Sequence, residues 1–356
     1  MGKIRVGTVG LGFIANGVHL PGIKRSPDLE LTAICDIDSV ALDKVQKEYD
    51  VDEEHCFSDY HDLISCDEVD VVDICVPNDV HYPVAMYAIE KGKPYNLEKP
   101  IGLNKKEVDT LALQTTEKKL LHMICFSYRF KAAARYAKDL VQSGTIGKIY
   151  HANMQYFQAW GMPYQKTPLL WYFMKKHAGS GVLGDLGSHG IDLVRFITGK
   201  NYIRVIGNQR TFVKERQKMD NSEIGNVDVD DSTYFLADME DDISASFAFS
   251  RFAYGRENYQ RLELYGSKGA LIYTLKDNSG EDELEACIGE PYASTHAFTS
   301  LAIPQKYHVD QMQSLADILL INGDGWSADI YDGKEDQHVI DAVIKSSKTN
   351  KWVNVD

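Results

Sequence analysis

A glycine-rich stretch near the amino terminus places the tightest constraint on how this chain can fold. The β-rich run Ile4–Val9 leads into Gly10-Leu11-Gly12-Phe13-Ile14-Ala15, a GxGxxA pattern that opens a segment able to be helical through Leu20. A pattern of this kind between a strand and a helix is typical of the first turn of a dinucleotide-binding βαβ unit.

Each position of the glycine pattern has a physical role in such a turn. Gly10 would permit the tight turn, Gly12 the close approach of a pyrophosphate, and Ala15 the contact between helix and strand. Amide groups at the start of the helix, around Phe13 and Ile14, would hold the phosphates. These residues therefore predict a dinucleotide site.

An acid follows the second strand-like run. The run 29–35 ends on Asp36, where a dinucleotide-binding fold holds the ribose hydroxyls of the adenosine. A carboxylate at this place repels a 2′-phosphate, which favours NAD over NADP. Asp36 could instead cap the helix predicted at 39–49, although Asp38 is better placed for that role.

Strand-like and helix-like runs alternate through the first part of the chain. This alternation predicts that residues 1–128 form a Rossmann dinucleotide-binding domain, an α/β fold with a doubly wound parallel sheet. Pro77, Asn78 and His81 come just after a predicted strand, on the edge where such sheets bind ligands. His81 fits a surface position at a helix start equally well.

A second strand end carries an acid and a lysine. The run 94–98 stops at Glu98-Lys99-Pro100, because Pro100 has no N–H for a sheet ladder and favours an extended backbone at Lys99. A lysine held at the carboxyl edge of the sheet can serve chemistry, but the tripeptide alone is also compatible with a surface ion pair.

The pattern changes from Gly147 onward, where strand-like runs follow one another with little helix. Met239-Glu240-Asp241-Asp242 has the composition of a hairpin turn, and the following strand alternates serine with apolar residues. Residues 129–356 are therefore expected to form an α+β substrate-binding and oligomerisation domain with an open, largely antiparallel sheet and helices on one face. The second face of such a sheet needs a cover, which predicts a homodimer or homotetramer.

Asp185 and His189 fall in a predicted helix that ends before Gly199. Four positions apart, they share one helix face. A histidine with a carboxylate one turn away can act as a general base near neutral pH. A structural core histidine explains the pair equally well. A metal site would need further ligands, and no clear set lies nearby, so no metal is expected.

Charge and composition exclude several classes of partner. The formal net charge is −14, which disfavours nucleic acid or an anionic membrane surface. No apolar run is long enough to span a bilayer, and the first residues lack a signal-peptide pattern. The six cysteines contain no CxxC pair and are expected to be reduced, as in a cytoplasmic protein.

Together these motifs resemble those of the glucose–fructose oxidoreductase, inositol dehydrogenase and rhizopine-catabolism (Gfo/Idh/MocA) family. The resemblance runs nearly end to end and rests on the GxGxxA pattern, Asp36, Pro77-Asn78, Glu98-Lys99-Pro100 and Asp185-x-x-x-His189. Members of this family pair a Rossmann domain with an open-sheet domain, and they oxidise or reduce a carbinol of a sugar, polyol or glycoside.

The resemblance implies roles for individual residues. Lys99 would be the catalytic lysine that stabilises an alkoxide, and His189 would be the general base with Asp185 beside it. The implied cofactor contacts are Gly10, Gly12, Phe13, Ile14, Asp36, Pro77, Asn78, His81 and Glu98. The implied substrate contacts are Lys99, Tyr128, Arg129, Trp160, Trp171, Asp185 and His189.

The resemblance implies an NAD-dependent dehydrogenase but leaves two alternatives open. One is a redox-neutral, NAD-bound glycosidase, and the other is a non-catalytic NAD(P)-binding regulator on the same fold. Trp171-Tyr172 replaces the Trp-Arg of many members, and the segment 156–174 is long and aromatic. Both departures concern the substrate and leave the expected chemistry unchanged.

Overall fold

The computed structural model describes residues 2–219, 223–277, 280–289 and 297–356. The chain divides into two compact units. One contains Met1–Phe126 and Val309–Lys334, and the other contains Ser127–His308 and Glu335–Asp356. Residues 309–334 thus pack with the first unit although they lie far along the chain.

Strands and helices alternate through the first 126 residues. The strands are β1 (Ile4–Val9), β2 (Leu29–Cys35), β3 (Cys56–Phe57), β4 (Val71–Ile74), β5 (Tyr95–Glu98) and β6 (His122–Cys125). The helices are α1 (Leu20–Arg25), α2 (Ser39–Tyr49), α3 (Tyr60–Ser65), α4 (Asn78–Lys91) and α5 (Lys105–Lys118).

The remaining elements are mostly strands. The helices are α6 (Ala132–Gln142), α7 (Lys175–Ala178), α8 (Ser188–Thr198), α9 (Gln311–Ile321) and α10 (Ile330–Thr349). The strands are β7 (Ile149–Phe157), β8 (Tyr202–Arg210), β9 (Glu215–Gln217), β10 (Ile224–Asn226), β11 (Ser232–Met239), β12 (Ile243–Ser250), β13 (Tyr259–Gly266), β14 (Gly269–Leu275), β15 (Asp282–Ile288), β16 (Thr299–Ser300) and β17 (Val353–Asn354).

The six strands of the first unit form one parallel sheet in the order β3-β2-β1-β4-β5-β6. This confirms the predicted Rossmann fold. The order reverses between β1 and β4, and the carboxyl ends of the strands beside such a reversal are where open α/β sheets bind ligands. Gly10, Asp36 and Lys99 follow directly on β1, β2 and β5, so the sheet brings the three predicted residues to one edge.

Local sequence signals explain several helix ends. The Asp38 side chain accepts the Val40 N–H at the start of α2, as predicted. Asn104 likewise accepts the Glu107 N–H at the start of α5. Gly92 ends α4 with a φ of 70°, a left-handed conformation that glycine adopts without strain.

The second unit is built on a nine-stranded sheet in the order β16-β15-β14-β13-β7-β12-β11-β8-β17. Neighbouring strands are antiparallel except for the parallel pair β7 and β12, which confirms the predicted largely antiparallel sheet. One face is apolar, with Ala245, Phe247 and Phe249 of β12 buried. The helices α6 and α9 were not predicted.

Candidate active site

The glycine loop after β1 is shaped so that only glycine fits at its first position. Gly10 has a φ of +90°, and a Cβ there would lie 2.6 Å from the Cys75 carbonyl oxygen. At Gly12 a Cβ would meet nothing within 4 Å, so the space above this part of the loop is open. The two glycines thus provide a strained turn followed by an accessible backbone, as pyrophosphate binding requires.

Asp36 is tied to the glycine loop. Its Oδ2 accepts the Leu11 N–H at 2.7 Å, and its Oδ1 accepts the Asp38 N–H at 2.9 Å. Each carboxylate oxygen can accept a second hydrogen bond, so ribose hydroxyls fit this position. Phe13 and Ile37 lie beside these residues in the chain and are 89% and 94% exposed.

The residues after β4 have different environments. Pro77 is exposed and precedes α4, while Asn78 is the first residue of that helix and is buried. His81 is also buried, so its surface interpretation is wrong. Its Nδ1 lies 2.7 Å from the Pro100 carbonyl oxygen and its Nε2 lies 2.8 Å from that of Val76. The ring therefore fastens the loop after Lys99 to the start of α4 and turns both nitrogens away from a cofactor.

Lys99 is partly exposed between two buried neighbours, Glu98 and Pro100. The peptide between Lys99 and Pro100 is cis. The Glu98 carboxylate points inward, because its Oε1 lies 3.1 Å from His19 Nε2 and its Oε2 accepts the Lys99 backbone N–H at 3.1 Å. Glu98 thus supports the strand end from inside, whereas the lysine reaches the surface of the unit.

In the second unit, Asp185 and His189 stand out from their surroundings. They are the two partly exposed residues in an otherwise buried run from 181 to 194. Asp185 lies in the π-helical turn Leu183–Gly187, and His189 lies in the first turn of α8, which continues that turn directly. Such π-helical turns are rare and are frequent at functional sites. Both side chains are therefore partly exposed, whereas the other residues of this run are buried.

The segment that carries Asp185 and His189 is held by an acid that sequence reasoning missed. Asp230 accepts the Gly181 N–H at 2.8 Å and the Leu183 N–H at 2.9 Å, so it caps the start of the helical segment. Gly190 lets the helix lie against the sheet, since a Cβ there would be 2.5 Å from the Phe249 ring. The carboxylate lies 47 positions away, and no local signal in the sequence links it to Leu183.

A hydrogen-bonded group of side chains lies next to His189. The Tyr128 ring stands edge-on to the His189 ring, with centroids 4.7 Å apart. The Tyr128 hydroxyl lies 2.6 Å from the Tyr156 hydroxyl, and Tyr156 donates to Asn258 Oδ1 at 2.6 Å. Gln158 Nε2 donates to the same Asn258 oxygen at 2.8 Å. Burial raises the pKa of both phenols, so they stay neutral hydrogen-bonding groups.

Arg129, a predicted substrate contact, lies in the interior. It is 4% exposed, and its Nε and Nη2 donate to both oxygens of Asp192. Its guanidinium also lies 4.9 Å from the centre of the Phe196 ring. The Tyr-Arg motif thus supplies one side chain beside His189 and one buried ion pair with α8, and substrate contact by Arg129 stays a prediction.

The aromatic segment before Asp185 packs partly on itself. The Trp171 and Tyr172 rings are stacked with centroids 3.8 Å apart, and Trp160 packs against Tyr172 and Phe173. Trp160 and Trp171 keep partial exposure, so both remain candidates for substrate contact. Phe173 is fully buried and anchors the segment.

Comparison with known proteins identifies the family. Residues 4–126 match the "Oxidoreductase family, NAD-binding Rossmann fold", and residues 134–272 match the "GFO/IDH/MocA C-terminal domain". The chain belongs to the Gfo/Idh/MocA family. This confirms the resemblance drawn from the motifs, and it makes the protein an NAD(P)-dependent oxidoreductase.

Relatives of this family member include enzymes of known activity. The crystal structure of an oxidoreductase domain protein from Kribbella flavida is 30% identical over 100% of both chains, with a TM-score of 0.90. Levoglucosan dehydrogenase of Pseudarthrobacter phenanthrenivorans is 27% identical over 332 residues, which cover 85% of this chain and 84% of the relative. A structure of levoglucosan dehydrogenase with NADH and L-sorbose is 26% identical over 100% of both chains, with a TM-score of 0.90.

An inositol enzyme is similar over a shorter range. Myo-inositol 2-dehydrogenase of Thermotoga maritima is 28% identical over 270 residues, which cover 76% of this chain and 75% of the relative.

The glycine loop and Asp36 of this Gfo/Idh/MocA protein fit NAD, because the space at Gly12 is open and the Asp36 carboxylate is held in place. Within the described residues, no helix combines the length and apolar character that a membrane crossing demands.

Proposed function

We propose that this protein is an NAD-dependent dehydrogenase that oxidises or reduces a secondary carbinol of a sugar, inositol or glycoside. The observation that carries the proposal is the selective exposure of Asp185 and His189 in a segment that is otherwise buried from 181 to 194. A histidine and a carboxylate presented in this way are suited to proton transfer rather than to packing.

Two side chains perform the proton and charge chemistry in this proposal. His189 accepts the proton of the reacting hydroxyl during oxidation and returns it during reduction. Lys99 donates a hydrogen bond to the same oxygen and stabilises its developing negative charge. Asp185 orients His189 or binds a neighbouring hydroxyl. NAD, when bound, supplies a hydride acceptor for the carbinol carbon.

The proposed cofactor contacts come from the first unit. The backbone at Gly10, Gly12, Phe13 and Ile14 binds the phosphates, and Asp36 accepts hydrogen bonds from the ribose hydroxyls. Pro77 and Asn78 lie at the same carboxyl edge, in the turn that leads from β4 into α4. Glu98 contributes to this edge indirectly, because its carboxylate accepts the Lys99 backbone N–H at the end of β5.

The proposed substrate is sugar-like. Two relatives are named for levoglucosan and myo-inositol, which both present several hydroxyls on a ring. Tyr128 offers a hydroxyl beside His189, and the partly exposed rings of Trp160 and Trp171 suit the apolar face of a sugar or an aglycone. A cytoplasmic location fits the free cysteines, since disulfides are rare in reducing compartments.

The test is NADH formation at basic pH against levoglucosan, inositols, hexoses, sugar phosphates and alkyl or aryl glycosides. With the best substrate, Lys99→Met and His189→Ala should each lower kcat by at least about 100-fold. NADH affinity should stay within about threefold, since neither change removes a hydrogen bond to the cofactor backbone. The control is Lys106→Met, which removes an exposed lysine from α5.

Three results would contradict the proposal. Near-normal kcat in Lys99→Met would remove the lysine from the chemistry. Release of an aglycone without net NADH would identify a redox-neutral glycosidase. Tight NADH binding with no turnover of any compound in the panel would identify a regulator.

A further inference from the structure

A charged cluster lies inside the parallel sheet unit, where apolar side chains are expected. His19 and Asp73 are fully buried, and Glu98 is 8% exposed. Strands of a parallel sheet are covered on both faces and are normally apolar throughout. Buried charges are costly unless they are paired and hydrogen-bonded. A cluster of this kind next to the end of β5 therefore calls for a functional explanation.

The imidazole ring of His19 lies between two carboxylates. Its Nδ1 is 2.8 Å from Asp73 Oδ1, and its Nε2 is 3.1 Å from Glu98 Oε1. An ionised carboxylate only accepts hydrogen bonds, so each ring nitrogen carries a hydrogen and the ring is a cation. Asp73 is held as an acceptor, because Asn96 Nδ2 donates to it at 2.8 Å and Thr8 Oγ1 donates at 3.2 Å.

The cluster connects to the backbone of Lys99. Glu98 uses one oxygen for His19 and the other for the Lys99 N–H, at 3.1 Å in both cases. A continuous path of hydrogen bonds thus runs from Asp73 through His19 and Glu98 to the residue that carries the proposed catalytic amine. Both carboxylate oxygens of Glu98 are hydrogen-bonded, which fixes the rotamer of Glu98 and the position of the Lys99 amide.

The helix after the glycine loop is wound so that His19 faces inward. Ala15–His19 forms a π-helical turn, in which the Leu20 N–H bonds to the Ala15 carbonyl. Pro21 follows and has no N–H to continue an α-helical ladder at this turn. His19 therefore ties the helix of the glycine loop to the strand end that carries Lys99.

The same side chains could be considered as metal ligands. His19, Asp73 and Cys75 form one possible set, and His19, Glu98 and Cys125 form another. Burial raises the pKa of Cys75 well above its usual value and that of Cys125 to about 12, which disfavours the thiolates a metal would need. The hydrogen bonds already satisfy both ring nitrogens, so a paired imidazolium explains the cluster better than a metal.

We propose that His19 is a positioning residue for Lys99. It holds the Glu98 carboxylate through Nε2, and that carboxylate fixes the Lys99 backbone at the carboxyl end of β5. This inference rests on the proposed function in one respect, namely that Lys99 acts on the substrate. The hydrogen-bond path itself is independent of the substrate.

Two substitutions distinguish the roles of the two ring nitrogens of His19. In His19→Gln the amide nitrogen takes the place of Nε2 and still donates to Glu98. In His19→Asn it takes the place of Nδ1 and donates only to Asp73. Glu98→Gln removes the carboxylate itself. The control is His122→Gln, a partly buried histidine of the same unit whose Nε2 accepts the Ile330 N–H.

The direct measurement is hydrogen exchange of the Lys99 amide in the full-length protein with NAD bound. Pro100 has no amide, which isolates the Lys99 signal at the end of a peptide. His19→Asn should speed this exchange by about tenfold or more and lower kcat by a similar factor, since a hydrogen bond to a charged group is lost. His19→Gln should restore both to within about threefold of the wild type. NADH affinity should be unchanged in both variants.

Each outcome decides the matter. Equal effects of the Gln and Asn substitutions, or unchanged Lys99 exchange in His19→Asn, would overturn the proposal. A loss of thermal stability alone, as expected for His122→Gln, would reduce His19 to a structural residue. If the purified protein contained a stoichiometric metal, His19 would be a metal ligand and its assignment as an imidazolium would be wrong. If Lys99→Met keeps its turnover, the proposed function fails, whereas the exchange result still tests the role of His19.

Discussion

Asp230 and Leu183 lie 47 positions apart, yet the Asp230 carboxylate accepts the Leu183 N–H at 2.9 Å. The same carboxylate accepts the Gly181 N–H and the Thr233 hydroxyl hydrogen. The helical segment that presents Asp185 and His189 is therefore capped at its start by a carboxylate that lies just before β11 in the chain. The position of the proposed base depends on this single buried acid.

Asp230→Ala should loosen the segment without touching the proposed reacting groups. Loss of an N-cap costs about 0.5–2 kcal/mol, so we expect a lower unfolding temperature. We expect kcat to fall by about tenfold, because misplacing a catalytic base is costly, with unchanged NADH affinity. Thermal unfolding and steady-state kinetics measure both effects. Asp310→Ala removes the equivalent cap of α9 and should cost similar stability without the loss of kcat. Equal kcat values in the two variants would refute the role of Asp230.

Tyr128 should act on substrate affinity rather than on the proton transfer. Tyr156 donates its hydrogen to Asn258, so the Tyr128 hydroxyl donates either to Tyr156 or, at 3.2 Å, to Asn258 Oδ1. In both cases its oxygen keeps a lone pair for another donor. Tyr128→Phe should raise KM by about tenfold for the loss of one hydrogen bond to a hydroxyl, with little change in kcat. An unchanged KM in Tyr128→Phe would show that the Tyr128 hydroxyl does not contact the substrate.

Tyr156→Phe provides the matched comparison. Tyr156 is 2% exposed, and its loss removes the shortest hydrogen bond to Asn258 Oδ1, while Gln158 Nε2 still donates to that oxygen. We expect a stability loss of about 1 kcal/mol and a smaller change in KM than in Tyr128→Phe. Because burial raises the pKa of both phenols, neither effect should vary between pH 6 and about pH 9.

Sequence reasoning succeeded where the signal was local. The glycine loop, Asp36 and the end of β5 at Lys99 follow from strand and helix periodicity together with turn residues. Asp185 and His189 were selected from a spacing of four, and both are partly exposed in the structure. These predictions needed only neighbouring residues in the chain.

The residues that sequence reasoning missed depend on distant partners. His19 meets Asp73 and Glu98 at separations of 54 and 79 positions. The available signals were weak: a histidine followed by a proline in the first helix, and a charged residue within a buried strand. The ion pair of Arg129 was missed for the same reason, because its partner Asp192 lies 63 positions away. Periodicity reports which face a residue occupies and carries no information on such pairing.

The stability contributed by His19 should fall as the pH rises. Burial alone would lower the pKa of His19, but Asp73 raises it well above the usual 6.5. A group with a raised pKa in the folded state contributes stability that is complete below the unfolded value and is lost as the pH rises through the folded value. For Asp73, burial acts to raise the pKa, but His19 dominates and lowers it, so its contribution is present above about pH 4 and is lost in stronger acid.

The difference in unfolding temperature between the wild type and His19→Gln should therefore be largest below about pH 6.5 and should narrow as the pH rises above that value. The groups that face the ring are Asp73, Cys75, Glu98 and Cys125. His122→Gln controls for pH effects elsewhere, because burial lowers the pKa of His122, the opposite direction to the pKa shift of His19. A difference that widens with pH would show that His19 is buried in the neutral form.

The outer face of the nine-stranded sheet should hold two subunits together. Tyr234 and Leu236 of β11 are 53% and 52% exposed, and they pair with Ala248 and Ser246 of β12 on the same face. Apolar side chains on an uncovered sheet are typical of an interface. Leu236→Asp should convert the expected homodimer or homotetramer into a smaller species in light scattering coupled to size exclusion. Leu113→Asp, a change at an equally exposed leucine of α5, should leave the mass unchanged. A wild-type monomer at micromolar concentration, or an unaltered mass for Leu236→Asp, would exclude this face as the interface.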